Sequence, residues 1–290
     1  MMNALHEIVT QILQGVTLIK IGVAVCMVVG LSLLAERVST RFAGLVSGFP
    51  LGAAISLFFI GYEIDPTFAA RSALFTILGL IGTMTFAFGY YVVTRALNAR
   101  SGIMAAIISS VGGVLFYFIA TLPLQHVRTG LVGAVLLTSG AIVVFTVLFR
   151  RLENVSIKNP LRSSPWLLLL RALFAAAVIT LITASARLVG PGWAGLLAAF
   201  PITMLPFVFI IHASYRTEHV WTILKNVPRG LGAIVVYAFV IALAYPRHGI
   251  WLGTIEGYLA AFAYLALLHL PMMLRTASQP ASGRNSKKLR

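Results

Sequence analysis

Charged side chains are scarce in this chain. They make up 10% of its 290 residues and only seven are acidic, whereas about a quarter of the residues of a soluble domain are charged. The single cysteine, Cys26, excludes an intramolecular disulfide. Neither a His-Glu-x-x-His nor a Gly-x-Ser-x-Gly motif is present, and no Cys/His cluster has metal-ligand spacing. The sequence therefore predicts a protein that is not an enzyme and that holds no metal or cofactor.

Apolar residues fill the chain instead, at 59% of the total. A soluble core of this size cannot bury so much apolar surface, so the sequence predicts an all-α, polytopic membrane protein. The formal net charge is +15. Because the cations lie in short loops and in the C-terminal tail, we expect them to contact anionic lipid headgroups rather than nucleic acid.

Nine apolar stretches approach the ~20 residues that cross a bilayer as a helix. These stretches are 12–35, 43–63, 70–94, 102–122, 129–149, 166–187, 193–213, 227–246 and 250–272.

The distribution of Lys and Arg predicts the orientation of these nine transmembrane helices. With the N-terminus outside and the C-terminus inside, sixteen of the 22 cations are cytoplasmic and only four are external. Such a bias is typical of inner-membrane proteins, because positively charged loops stay in the cytoplasm. We therefore expect a multi-pass protein of the cytoplasmic membrane.

The octapeptide at 43–50, AGLVSGFP, returns at 194–201 as AGLLAAFP, a shift of 151 residues. The same shift places Lys20 on Arg171. An internal duplication of a membrane unit is typical of transporters. A single helix between two four-helix copies makes the second copy cross the membrane in the opposite direction. The predicted organisation is therefore a 4+1+4 inverted repeat. Its parts are a first four-helix repeat at 1–125, a linking transmembrane helix at 126–150, a cytoplasmic basic loop at 151–165, a second, inverted repeat at 166–275 and a disordered basic tail at 276–290.

Lys20 and Arg171 each lie inside an apolar stretch, about eight and five residues from its start. One interpretation is that both side chains reach back to the headgroups. The other is that the two cations bind an anion. In that case we expect each cation to lie near the level of the Phe-Pro element of the other copy.

The Phe-Pro elements are Phe49-Pro50 and Phe200-Pro201. A proline inside a helix frees a carbonyl and kinks the axis. Half-helix ends at that depth offer partial charges to a ligand, so these four residues join Lys20 and Arg171 in the predicted substrate site. The alternative is a kink that serves only packing.

Glu256 is the one carboxylate well inside an apolar stretch. It is predicted either to form an ion pair with Lys20 or to act as a gate or proton-coupling group that competes with the substrate for Lys20.

The element Gly195-Leu196…Phe200-Pro201, with a basic residue early in the preceding span, resembles the four-span bacterial inner-membrane proteins of the GlpM type. The chain is similar to two such units fused through the fifth span. It is also similar to the drug/metabolite transporter superfamily, in which four-span units of opposite topology pair or fuse. The small multidrug exporters of that superfamily hold cations with a first-span glutamate, whereas this chain has cations there, which implies an anionic cargo.

We therefore expect a secondary transporter or flippase that moves an anionic small molecule or a lipid-linked phosphate by alternating access. The alternative is a non-transporting accessory protein of an envelope polymer or lipid pathway. No motif identifies the cargo, the coupling ion or the oligomeric state.

Overall fold

The computed structural model describes residues 15–37, 50–98, 100–152 and 165–277, and within them every regular element is an α-helix. Phe49, most of the predicted basic loop and all but the first two residues of the predicted tail lie outside the described residues. The helices are α1 (Gly15–Arg37), α2 (Leu51–Glu63), α3 (Pro66–Ala96), α4 (Ile103–Leu124), α5 (Leu131–Phe149), α6 (Pro165–Ala198), α7 (Met204–Ser214) and α8 (Thr217–Ala277).

Two helices are broken by a glycine with a left-handed backbone. Gly190 interrupts α6 with φ 77°, and Gly249 interrupts α8 with φ 74°. A side chain with a Cβ is strained in this region, and glycine is not. The breaks divide α6 into 165–189 and 191–198, and α8 into 217–248 and 250–277.

The break at Gly249 makes α8 a helical hairpin. Its 61 residues would extend about 90 Å as one straight helix, three times the thickness of a bilayer core. Instead, Gly253 packs against Tyr245 and Gly257 packs against Tyr237. These contacts pair positions at similar distances on either side of Gly249, as antiparallel segments do.

Five helices, α3, α4, α5, α6 and α8, are long and apolar enough to cross a membrane. This supports the predicted all-helical membrane protein. Each of the nine predicted stretches overlaps a helix. The seventh, 193–213, is interrupted near Phe200 and Pro201, between the end of α6 and the start of α7.

Helix α3 lies at the centre of the fold, where it contacts α2, α4, α5, α6 and α8. In its most apolar window 72% of residues are buried, against 22% in α4 and 11% in α5. Helices α4 and α5 therefore present broad apolar faces to the surroundings, as expected of helices in contact with lipid.

The start of α3 is determined locally. The Asp65 carboxylate accepts a hydrogen bond from the backbone N–H of Phe68 at 2.7 Å, and Pro66 occupies the first helical position. An N-cap acid followed by proline is a strong helix start, because the cap satisfies a free N–H and proline has none to satisfy. The Thr67 hydroxyl also donates to Asp65, and these two bonds hold the pKa of the Asp65 carboxyl below its usual value.

The helix boundaries follow the 151-residue shift seen in the sequence. Helix α2 ends at Glu63 and α7 ends 151 residues later, at Ser214. Helix α3 begins at Pro66 and α8 begins 151 residues later, at Thr217. Asn98, the non-glycine residue with a positive φ, corresponds in the same way to Gly249. These coincidences support the duplication, because they are independent of the repeated octapeptide.

Candidate anion site

Lys20 is almost completely buried, with 2% of its surface exposed. Its Nζ lies 2.6 Å from Glu63 Oε1 and 2.8 Å from Oε2, and it donates to Thr183 Oγ1 at 2.6 Å. The ammonium group is also 5.9 Å from the centre of the Phe59 ring. An ammonium has three protons to donate, and three oxygens here account for them. Lys20 therefore lies inside the helix bundle and does not extend to a lipid-facing surface.

The ion pair of Lys20 differs from the predicted one. Its partner is Glu63 at the end of α2, whereas Glu256 bonds to His248 Nδ1 at 2.8 Å. The sequence prediction favoured Glu256 because it is the acid deepest in an apolar stretch. Glu63 stands at the very end of α2, yet it reaches Lys20 because α1 starts where α2 finishes. The predicted Lys20–Glu256 pair is therefore wrong, and the gating role of Glu256 is left without Lys20 as its target.

Residues of both predicted copies meet around Glu63. Lys20 belongs to the first helix of the first copy, and Thr183 to the first helix of the second. Arg187, one turn beyond Thr183, donates from Nη2 to the backbone oxygen of Glu63 at 2.5 Å. We call Lys20, Glu63, Thr183 and Arg187 the Glu63 cluster. It joins α1, α2 and α6 at one end of the bundle.

Arg171 has different surroundings from Lys20. Its guanidinium carbon lies 5.3 Å from the centre of the Phe207 ring on α7, a distance at which a cation and an aromatic face attract each other. Its Nε is buried without a hydrogen-bond partner among the described residues. No carboxylate of the described residues forms an ion pair with Arg171. The positive charge of Arg171 is therefore not neutralised by a described side chain.

Lys20 and Arg171 lie at different heights in the bundle. Thr183, the partner of Lys20, is twelve residues from Arg171 on the same helical segment, which corresponds to about 18 Å along its axis. The structure therefore does not bring the two cations together. Each packs against the second helix of its own copy, Lys20 on Phe59 and Arg171 on Phe207. The expected proximity of each cation to the Phe-Pro element of the other copy is not seen in these contacts.

The chain just after Pro50, by contrast, lies against the chain just after Pro201. Pro50 and Pro201 are both buried. A Cβ on Gly52, two residues after Pro50, would lie 3.5 Å from the Ile202 side chain, one residue after Pro201. The Phe200 ring packs edge-on against Tyr117, with ring centres 5.1 Å apart. The start of α2 and the interruption between α6 and α7 thus meet inside the bundle.

Hydroxyl groups of α3 and α4 donate to three carbonyl oxygens at the end of α6, of which those of Gly195 and Leu196 also accept from the Ala199 N–H. Thr76 donates to the Gly195 oxygen at 3.0 Å, Thr83 donates to the Ala199 oxygen at 2.6 Å, and Tyr117 donates to the Leu196 oxygen. A helix end has carbonyls without an intrahelical partner, and burying one unpaired is costly. Gly195 permits this close approach, because a Cβ there would lie 2.0 Å from the Ser72 oxygen.

The helices that follow the breaks start differently. Helix α2 begins directly after Pro50, helix α7 begins after Thr203, and neither has a side-chain hydrogen bond at its N-cap. The first N–H groups of a helix have no intrahelical acceptor and carry a partial positive charge. The two helix starts adjoin between Lys20 and Arg171. In α7 the Leu205 N–H donates to the Pro201 oxygen at 2.9 Å and Pro206 has no N–H, so most of the free N–H groups belong to α2. This arrangement favours a negatively charged group.

A cavity of about 460 Å³ opens elsewhere, beside the connection from α4 to α5. None of the predicted site residues lines it. Its walls are Leu74 and Phe75 of α3 and residues 125–129. This cavity therefore lies outside the predicted site.

A polar cluster at the opposite end from Glu63 was not expected. His212 is fully buried; its Nδ1 lies 2.9 Å from the Tyr90 hydroxyl and its Nε2 lies 2.9 Å from the Arg100 oxygen. Because a carbonyl only accepts, Nε2 carries the proton and Nδ1 accepts from Tyr90 in the neutral ring. The cluster fastens α7 to α3 and to residue 100. The pairing could not be read from the sequence, since Tyr90 and His212 are 122 residues apart.

The described residues contain no group of three His, Cys, Asp or Glu side chains positioned to hold a metal ion. No protein-family model, no curated protein and no solved structure matches the chain. The function is therefore inferred from the geometry of the two cations and of the helix starts near Pro50 and Pro201.

Proposed function

We propose that this protein is a secondary transporter or flippase, built from inverted repeats, that moves an anionic small molecule or a lipid-linked phosphate by alternating access. One observation carries the proposal. Two helix N-termini without side-chain caps, those of α2 and α7, adjoin close to Pro50 and Pro201. They lie between a buried cation near one end of the bundle and a half-buried cation near the other. In many transporters the positive ends of broken helices bind the anionic group of the substrate.

The inverted arrangement of the two copies is supported by the contact between Lys20 and Thr183. Lys20 lies five residues after the start of α1, whereas Thr183 lies near the far end of the segment 165–189. First helices that run in opposite directions make such a contact. Parallel first helices would instead place Lys20 level with residues near 170.

Electrostatics suggests the route of the cargo. A negative group inside a bilayer is costly unless positive charge accompanies it. Glu63 and Leu51 are twelve residues apart on α2, about 18 Å, and Phe207 lies six residues after Pro201, about 9 Å. Lys20, the helix N-termini and Arg171 therefore form three successive positions for an anion, of which Lys20 becomes positive only when Glu63 no longer pairs with it. An anion that passes between them is never far from a compensating charge.

The test is transport in vesicles that contain the purified protein. Entry of radiolabelled sulfate or sn-glycerol 3-phosphate measures movement of a soluble anion. Loss of a fluorescent polyprenyl phosphate from one leaflet measures flipping. The Lys20→Ala and Arg171→Ala variants are each expected to lower the rate at least tenfold, because each removes one of the three positions for an anion.

Arg247→Ala is the matched control, since Arg247 is an exposed cation beside the break at Gly249. This variant is expected to move cargo like the parent. If both buried-cation variants also match the parent, the anion route is wrong. A parent protein that moves none of the probes, together with co-purification with one envelope enzyme complex, would favour the accessory-protein alternative.

A further inference from the structure

The Glu63 cluster leaves no donor of Lys20 free. The three protons of its ammonium face Glu63 Oε1, Glu63 Oε2 and Thr183 Oγ1, and its surface is 2% exposed. An anion can reach Lys20 only if Glu63 withdraws. The role of Lys20 in the proposed route therefore depends on what happens to the Glu63 carboxylate.

We infer that Glu63 is the proton-coupling group of this protein, and that the cargo anion takes its place beside Lys20 when Glu63 takes up a proton. This inference rests on the proposed function and adds the coupling ion to it. Protons and charges balance in this exchange. The carboxylate gains one proton from the aqueous phase and becomes neutral, and one negative charge of the cargo replaces the one that was lost. The net charge around Lys20 is unchanged.

The two events promote each other for electrostatic reasons. A protonated Glu63 without an anion would leave Lys20 as a buried, uncompensated charge, which costs several kcal/mol. An anion beside an ionised Glu63 would place two negative groups around one cation, and the repulsion favours protonation. Each ligand thus stabilises the form that binds the other, so proton and anion bind together.

The partial exposure of the Glu63 side chain gives a proton access to it. The Glu63 side chain is 22% exposed, whereas that of Lys20 is 3% exposed. Glu63 is also the last residue of α2 and lies at the end of the bundle. Water can therefore reach the carboxylate without reaching the ammonium.

The charged groups around Glu63 indicate that Glu63, rather than Asp65, is the carboxylate that can change its protonation state. Lys20 lies on α1, and Arg187 on α6 binds the Glu63 backbone rather than its carboxylate. Asp65 is engaged by Thr67 and the Phe68 N–H at the start of α3, and Arg71 of α3 acts on Asp65. These interactions lower the pKa of Asp65 and keep it ionised.

Helix α8 also packs against α2, where Gly61 lies against Ile250 and Tyr245. The titratable groups of α8 on this side are His248 and Glu256, which are bonded to each other, and the exposed Arg247. Glu256 therefore has its own partner and does not compete for Lys20.

The experiment compares two modes of transport in the same vesicles, with sulfate and sn-glycerol 3-phosphate as probes. Exchange of labelled for unlabelled anion needs no net proton movement, whereas accumulation against a concentration gradient needs an imposed pH gradient. The parent is expected to do both. Glu63→Gln is expected to retain exchange and to lose accumulation at least tenfold. Asp65→Asn, which removes a nearby charge and retains a helix-capping side chain, is expected to behave like the parent.

A second measurement needs no variant. Addition of sulfate to the parent is expected to produce the infrared absorption of a protonated carboxylic acid, and its apparent affinity is expected to rise about tenfold for each pH unit of acidification, as binding linked to one proton requires. The infrared band is expected to vanish in Glu63→Gln. Glu63→Asp, which retains a titratable group, is expected to restore part of the accumulation, and this guards against a folding defect.

The outcomes separate the two proposals. If the Glu63→Gln variant still accumulates anion when a pH gradient is imposed, the role of Glu63 is overturned and anion transport still stands. Sulfate binding without the carboxylic band would lead to the same conclusion. A parent protein that neither exchanges nor accumulates these anions, and that does not flip the fluorescent polyprenyl phosphate, would overturn the transport function and, with it, the coupling.

Discussion

Lys20 and Arg171 occupy equivalent positions in two copies of one sequence unit, yet their surroundings are different. Lys20 is buried and ion-paired with Glu63. Arg171 is half-buried, lies over an aromatic ring and has no ion pair with a described carboxylate. The residue that corresponds to Glu63 in the second copy is Ser214, 151 positions later. The 151-residue shift therefore matches one cation with another, but matches the carboxylate of Glu63 with a neutral serine.

This difference implies a division of labour between the two cations. The charge of Lys20 is neutralised in the described conformation, so it binds an anion only by exchange with Glu63. The charge of Arg171 is not neutralised by a described carboxylate, so in the proposed route Arg171 can attract an anion directly. If the protein is the proposed transporter, two such unequal positions would give an ordered route, in which the Arg171 end is open to the cargo and the Lys20 end is closed by the Glu63 carboxylate.

The largest expected effect comes from removal of the Lys20 charge. Lys20→Met leaves Glu63 partly buried without its partner and is expected to lower the free energy of unfolding by about 3 kcal/mol, at the low end for buried pairs because Glu63 retains some contact with water. Arg171→Met is expected to cost less than about 1 kcal/mol, since it breaks no ion pair among the described residues. Denaturant unfolding in mild detergent measures both.

The double variant Lys20→Met/Glu63→Gln is expected to recover much of the loss, because it removes both charges. Equal destabilisation by Lys20→Met and Arg171→Met would contradict the contrast between the two ends.

The next effect concerns the hydroxyl that Lys20 uses in the second copy. Thr183→Val keeps the shape of the side chain and removes the acceptor of the 2.6 Å hydrogen bond. We expect a loss of about 1–2 kcal/mol, the cost of an unmet hydrogen bond to a charged, buried donor. Thr180→Val, one turn away on the same helix, is the matched control and is expected to be nearly neutral. The same unfolding measurement compares them.

The difference between Lys20 and Arg171 can also be reduced by giving Arg171 a carboxylate partner. Ser214→Glu places a carboxylate where the duplication would place the counterpart of Glu63. If the two copies are related as proposed, this carboxylate neutralises Arg171 and weakens sulfate binding about tenfold, or about 1.4 kcal/mol. Calorimetric titration with sulfate measures the affinity. Ser214→Gln is the uncharged control, and an equal loss in both variants would argue against a charge effect.

The smallest effect lies at the helix starts. Asp65 caps α3, while its counterpart by the shift, Arg216, forms an exposed pair with Glu218 at 3.1 Å. Asp65→Ala is expected to lower the free energy of unfolding by about 1 kcal/mol, and Arg216→Ala by less than about 0.5 kcal/mol.

The pH dependence of the Asp65 effect has a definite sign. The folded pKa of Asp65 is lowered, so its stabilisation is present above the unfolded value of about 3.9 and is lost as the pH falls through the folded value. The difference between parent and Asp65→Ala is therefore expected to shrink in acid. Asp65→Asn should stay close to the parent at neutral pH, and a constant Asp65→Ala difference down to pH 2 would contradict the capping role.

The helices were largely predictable from the sequence, and the partners of the charged residues were not. Each predicted apolar stretch overlaps a helix, because a bilayer-spanning segment needs a long apolar run and the loops contain charges, glycine and proline. The predicted stretch 193–213 is divided near Phe200 and Pro201, where the proline was expected to disturb a helix. The nine crossings and their orientation stay predictions.

The pairing of Lys20 with Glu63 depends on the relative height of α1 and α2. Sequence periodicity gives depth within one helix and no register between two. Glu256 was favoured by depth alone, and it bonds to His248 because the hairpin at Gly249 brings residues eight apart together. The available signal for Glu63 was its position at the end of the second stretch, opposite the start of the first. The hydroxyl caps of Thr76, Thr83 and Tyr117 had no sequence signal.

Those hydroxyl caps have a mechanical consequence. Thr76 and Thr83 attach the short segment 191–198 and the residue after it to α3, and Tyr117 attaches the segment to α4. Although the segment belongs to the second copy by descent, it is fastened to helices of the first. During a rocking motion it would travel with α3, and the hinge would lie near Gly190 rather than between the copies. In the proposed alternating-access cycle, the repeated units of the sequence and the units that move would therefore be different sets of residues.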